Sequence, residues 1–248
     1  MLKKTFSLAV LNITVLSLWF SFTSFSVYFP IRLKKEHHLV ATFKPYDMET
    51  YKGLIPKEFE MPEEPKVKLD FVQVNPHWHE CYVSIRVNYK GKPTWHAIVW
   101  AIDKWVPYKL GRWVGYPKFM ADSMNYNLGE NEAKQWVIRD GKLFLSMDYT
   151  KSIEEKHSYC ASEWENMEIY HLLTPPLKGP KMNILTFEFC KKPQAYVEQH
   201  GTINLKFDSS QSWAKLISNN GTATVDGIYF KRDKKAILWL HSKRVKQK

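Results

Sequence analysis

Lys118 is the first residue of this sequence whose setting asks for a chemical explanation. It stands in Tyr116-Pro117-Lys118-Phe119-Met120, among aromatic and apolar neighbours. Two readings compete. The stem could lie over an apolar surface with its ammonium in water, or the amine could be kept dry so that it stays neutral and acts as a nucleophile. A fully buried lysine can fall several units below its ordinary value of about 10.4. The second candidate lies in Asn75-Pro76-His77-Trp78-His79-Glu80-Cys81. On a strand, His77 and His79 point to one face and Glu80 to the other. Two same-face histidines can begin a metal site. The third ligand would have to come from elsewhere, and the sequence supplies no second compact His/Cys group. The two histidines therefore read as loop-edge or surface residues, and no metal is expected. Glu80 heads an otherwise apolar strand, where an inward carboxylate needs a partner.

The elements that must position these residues are mostly strands. Short runs rich in Val, Ile, Phe, Tyr and Trp predict strands over 68–74, 81–89, 94–102, 135–139, 142–149, 183–189, 202–207, 223–230 and 236–240. Turn signals separate them: Lys90-Gly91-Lys92-Pro93, Asp140-Gly141 and Asn219-Asn220-Gly221. Helical patterns are few, over 47–55 and 115–124. Many short strands at this spacing point to an antiparallel, β-rich, barrel-like domain of the α+β class, with few helices. No linker interrupts it, so residues 31–248 read as one domain.

Residues 5–29 carry no charge and follow Lys3 and Lys4. As a helix they would span about 37 Å, enough for a bilayer. No A-x-A cleavage pattern follows, so residues 1–30 are expected to be an uncleaved signal anchor rather than a cleaved peptide. Nine of those 25 residues are Ser, Thr or Asn, which leaves an interfacial arm as the other reading. Both flanks are basic, so the side of the membrane stays open. Net charge is +11. The charges are interleaved, with one basic run at the C-terminal tail, and nucleic acid is not an expected partner. The three cysteines Cys81, Cys160 and Cys190 form neither a disulfide framework nor a metal spacing. GxSxG, HExxH and a phosphate loop are absent from the sequence. Asn220-Gly221-Thr222 fits a glycosylation sequon, which matters only if the domain is exported.

The stretch from Asp47 to Asp122 resembles the acetoacetate decarboxylases. The segment 47–61 is similar to the family's early helix and the turn after it. Residues 79–103 are similar to its glutamate-bearing strand, glycine turn and following strand. Gly111-Arg112-Trp113-Val114-Gly115-Tyr116-Pro117-Lys118-Phe119-Met120-Ala121-Asp122 is similar to its signature, with Gly111, Arg112, Gly115, Pro117, Lys118 and Ala121 in place. Two positions depart: Trp113 replaces a glutamate and Phe119 replaces a second lysine. An arginine near the family's domain start has no match; ungapped reading puts His37 there, with Arg32 and Lys35 nearby.

The resemblance implies that Lys118 forms a Schiff base with a β-keto acid, that Glu80 shuttles protons and that Asp70 orients Glu80 or a water. It places Arg112, Tyr116, Trp113 and Phe119 around the substrate. The iminium itself is the electron sink, so no cofactor is implied. Phe119 removes help from an adjacent charge and leaves desolvation to activate the amine. A homo-oligomer is also implied. Two alternatives stay open: a Schiff-base aldolase or dehydratase acting on a keto acid, and a non-catalytic, membrane-tethered binder of lipophilic ligands on the same fold.

Overall fold

A computed structural model describes residues 29–74, 78–114, 116–159, 169–174, 183–189, 194–217 and 227–244. The described residues form twelve strands and two short α-helices in the order β1 (Phe29–Phe43), α1 (Met48–Gly53), β2 (Val67–Val74), β3 (His79–Tyr89), β4 (Lys92–Ile102), α2 (Trp105–Val114), β5 (Lys118–Met120), β6 (Ser123–Leu128), β7 (Glu132–Arg139), β8 (Lys142–Tyr159), β9 (Ile169–Thr174), β10 (Asn183–Phe189), β11 (Gln194–Phe207) and β12 (Gly227–Arg244), with a 3-10 turn at Ala214–Leu216. Pairing runs β1-β2-β3-β4-β9-β10-β12 and returns to β1, which gives the barrel-like circuit. Strands β11, β8, β7 and β6 continue outward from β12. Among the described residues, only the β4–β5 and β4–β9 pairings are parallel.

Two hairpins follow from their turns. Lys90 and Gly91 have φ of 53° and 72°, and Asp140 and Gly141 have 52° and 70°. Positive φ at both central residues is what a two-residue hairpin turn with the right twist demands. The turns set the pairs Tyr89↔Lys92 and Arg139↔Lys142. Asp47 caps α1 by accepting from the backbone N–H groups of Glu49 and Thr50 at 2.9 and 3.0 Å.

The helix expected over 115–124 is not there. The helix lies just before it, at Trp105–Val114, and Lys118–Met120 is a strand. Pro117 lacks an N–H and biases its predecessor toward extended backbone. The chain after it is drawn into the sheet, with Trp100 N–H donating to Pro117 O and Ala121 N–H to Ile102 O. The aromatic and β-branched residues of α2 hide its helicity from a reading by composition. Strand β1 was not foreseen; it begins at Phe29, inside the segment assigned to the anchor. The two strands expected at 223–230 and 236–240 are one strand, β12, which continues through the charged residues between them.

Residues 5–28, His77, Cys160, Cys190, the sequon and the extreme tail lie outside the described residues. Among the described residues no helix is long and apolar enough to cross a membrane.

The core is continuous. Leu39, Ala41 and Phe43 of β1, Leu69 and Phe71 of β2, and Val83 and Ile85 of β3 pack with Leu145 and Met147 of β8, with Tyr51 of α1, and with Trp213 and Leu216. Each of these lies on one face of its strand, so the residues between them must point the other way.

Candidate active site

The face of β1–β4 turned away from the core is also buried, and it sets charged and polar side chains among aromatic and aliphatic ones. Registers align Asp70, Tyr82, Trp100 and Lys118 in one row across β2, β3, β4 and β5. The next row carries His38, Val72, Glu80 and Ile102 across β1 to β4. Neighbouring rows on one face are within side-chain reach. Lys118 Nζ donates to Glu80 Oε1 at 2.8 Å, with Lys118 7% and Glu80 6% exposed. Trp78 Nε1 donates to the same oxygen at 3.0 Å, and Trp100 Nε1 to Oε2 at 2.9 Å. The Lys118 ammonium position lies 4.5 Å from the centre of the Trp100 ring and 5.4 Å from that of Tyr116, within cation–π range.

Lys118 is held close to α2 by a missing side chain. A Cβ on Gly111 would stand 2.5 Å from Lys118 Cδ and 2.7 Å from Cε. Only glycine lets the helix approach the lysine stem at this distance. The bend after α2 is closed by Tyr116 N–H donating to Gly111 O at 2.9 Å. Tyr116 is buried, and its phenol is pushed well above its ordinary value by burial and by the Glu80 charge, so it forms a neutral wall.

Beside this pair sits a second buried polar group. His38 Nδ1 lies 3.0 Å from Asp70 Oδ1, and the Tyr82 hydroxyl donates to Asp70 Oδ2 at 2.5 Å. Burial alone pushes the Asp70 carboxyl up. His38, Lys68 and the Tyr82 hydroxyl outweigh it and bring the carboxyl below the usual range. Lys68 is itself buried, with its ammonium 4.4 Å from the Trp95 ring centre.

The acetoacetate decarboxylase (ADC) family model matches residues 21–214. The chain belongs to the acetoacetate decarboxylase family. No curated protein sequence matches it. Solved structures share the fold at low identity. The acetoacetate decarboxylase of Legionella pneumophila superposes with a TM-score of 0.68 at 15% identity, covering 91% of this chain and 90% of that one. The enduracididine biosynthesis enzyme MppR gives 0.61 at 12%, covering 90% and 89%. An acetoacetate decarboxylase-like enzyme from Sphingomonas wittichii RW1 gives 0.58 at 12%, covering 86% and 92%.

Within this family member, the structure brings Lys118, Glu80 and Tyr116 together and places Asp70 on the same face. Three expectations need correcting. Phe119 does not face Lys118: strand alternation turns it to the core, where it meets Phe144 edge-on at 4.9 Å and carries Arg139 over its ring. Arg112, expected around the substrate, is exposed on α2 and makes no ion pair with a carboxylate among the described residues. Asp70 hydrogen-bonds His38 and Tyr82, not Glu80. The Trp113 side chain lies outside the described residues. His79, weighed as a metal ligand, faces Asp103 instead, with Nδ1 2.6 Å from Oδ2. No group of three metal-ligating side chains occurs among the described residues. Sequence reasoning missed His38, Tyr82, Trp78 and Trp100. Strand parity relative to Glu80 is the signal for Trp78 and Tyr82. His38 needed β1 to be recognised, and Trp100 needed the bulge that shifts the β3–β4 register at Val83/Ser84.

Proposed function

We propose that this family member is a lysine Schiff-base lyase that decarboxylates a β-keto acid. The observation that carries the reading is the buried 2.8 Å contact between Lys118 Nζ and Glu80 Oε1 inside an aromatic wall. Glu80 takes the proton that the amine must lose, and the free amine attacks the ketone carbon. The carbinolamine hydroxyl leaves as water with a proton returned by Glu80, forming an iminium. The bond to the carboxylate then breaks, its electron pair flows into the iminium, and CO₂ departs. The resulting enamine takes a proton at the α-carbon, and water releases the ketone and the lysine. The apolar surroundings favour loss of a carboxylate whose charge disperses as CO₂ forms.

Aldol chemistry on a keto acid is the second reading. The same iminium serves it, and MppR, which shares the fold, has been solved with pyruvate and with a pyruvate condensation product.

The test is reductive trapping. Incubation with acetoacetate and borohydride should add the ketone-derived mass to Lys118 alone, and Lys118→Ala should lose both trapping and turnover in its folded fraction, with stability lowered because Glu80 loses its cation. Glu80→Gln should slow turnover by roughly 10²–10⁴-fold. Label spread over surface lysines, or full activity in Lys118→Ala, would overturn the reading. Pyruvate trapped with no CO₂ released from any β-keto acid would move it to the aldolase.

A further inference from the structure

We propose that Trp78 and Trp100 are positioning residues whose two indole N–H groups clamp Glu80 and make Oε1 the one oxygen that exchanges a proton with Lys118. This rests on the Schiff-base reading of the site. An indole N–H donates and cannot accept. Trp100 occupies Oε2 at 2.9 Å; Trp78 and Lys118 share Oε1 at 3.0 and 2.8 Å. Oε2 has Trp100 as its partner and not Lys118, so a proton placed there would have no direct path back to Nζ. A proton on Oε1 lies on the line back to Nζ. When the amine is activated, an Nζ–H bond breaks and an Oε1–H bond forms. That proton is then returned to the departing hydroxyl, two bonds from the nitrogen, and leaves as water; the enamine carbon, also two bonds from the nitrogen, later takes a fresh proton supplied by water.

The direction of the Trp100 donor is not free to drift. Its ring packs against Tyr82 at 4.7 Å and Tyr116 at 4.8 Å, and its backbone N–H is tied to Pro117 O. A carboxylate with a mobile side chain would offer either oxygen to the amine. This one is pinned at both oxygens by rings that are themselves packed. The titratable and charged groups sharing the face with Glu80 are Lys118 on β5, Tyr116 before it, Tyr82 on its own strand, Asp70 and Lys68 on β2, and His38 on β1. Replacing an indole by a phenyl ring alters none of them.

Trp100→Phe and Trp78→Phe test the clamp. Each keeps an aromatic ring and removes one donor. The carbon-13 carboxyl signal of Glu80, identified by its loss in Glu80→Gln, should protonate at higher pH in each variant than in the wild type. Losing one hydrogen bond to a charged acceptor corresponds to about one to two pH units. The acidic limb of kcat/KM should move up by the same amount, with borohydride still labelling Lys118. Trp78, only half-buried at the start of β3, serves as the second variant where Trp100→Phe compromises folding. An unchanged carboxyl titration in both folded variants overturns the clamp, whatever the activity. A shifted titration in a protein whose wild type is never trapped by borohydride keeps the clamp and sinks the Schiff-base reading instead.

Discussion

On one face of β1–β3, Leu39, Leu69, Phe71, Val83 and Ile85 are buried in the apolar core. One residue along each strand, on the other face, His38, Lys68, Asp70, Glu80 and Ser84 are buried as fully. The first face is held by burial alone, which has no preferred direction and tolerates substitutions that keep volume. The second is tolerable because Glu80, Lys118 and Asp70 meet partners at hydrogen-bond distance and Lys68 lies over the Trp95 ring, since an uncompensated buried charge is expensive. A protein seeking stability would not build the second face. Its presence beside a buried lysine is what marks this side of the sheet as the place for chemistry.

Changing one strand on both faces tests that contrast most strongly. Glu80→Leu leaves the Lys118 charge and two indole donors without their acceptor, and should cost about 3–5 kcal/mol by chemical denaturation. Ile85→Val, on the same strand but facing the core, should cost about 0.5–1.5 kcal/mol and leave turnover per folded molecule unchanged. Equal costs for the two would mean that the polar face is not truly dry.

Gly111→Ala sharpens the comparison from the helix side. The added methyl would stand 2.5–2.7 Å from the buried Lys118 stem, so the stem must shift, and this overpacking should cost about 1–3 kcal/mol, partly offset by the better helix propensity of alanine. The amine must move with it, and misplacement by about 1 Å should reduce turnover on the order of 10²-fold. Steady-state kinetics and thermal unfolding on the same sample separate the two effects. Unchanged kinetics would show that the lysine stem has another place to go.

The smallest expected effect is on acid stability. Asp70 is held below the ordinary aspartate value of 3.8 in the folded state by His38, Lys68 and the Tyr82 hydroxyl. Its contribution is present above the unfolded value and is lost as pH falls through the lower folded one, so the wild type should weaken only below about pH 4. His38→Phe removes the imidazole that lies 3.0 Å from that carboxylate and helps hold it charged. The acid transition of this variant should begin at higher pH in a series of denaturation curves. A transition at the same pH in both proteins would show that His38 does not support Asp70.

Much of the site was legible because alternation is a property of the strand itself. Once β3 was read, Glu80 had to point away from Cys81 and Val83, and its need for a partner followed. The hairpin turns at Lys90-Gly91 and Asp140-Gly141 were equally plain, since positive φ at both central positions restricts the residues that fit. Phe119 was placed around the substrate by the resemblance, and strand alternation on β5 turns it to the core instead. Helix α2 was hidden because Trp105, Val106, Tyr108 and Trp113 suit a strand by propensity, and packing overrode that preference.

The sequence by itself determined which residues could share a face of a strand, where the tight turns fall, and the glycine–proline–lysine signature that carries the family resemblance. These are short-range matters, decided by backbone sterics and by neighbours a few residues apart. Only the tertiary structure decided the partners: Glu80 for Lys118, 38 residues later, through β5 lying parallel to β4; His38 and Tyr82 for Asp70; and two indoles for one carboxylate. Those choices depend on cross-strand register and on a bulge in the β3–β4 pairing, and register is set by how distant segments pack rather than by any one of them.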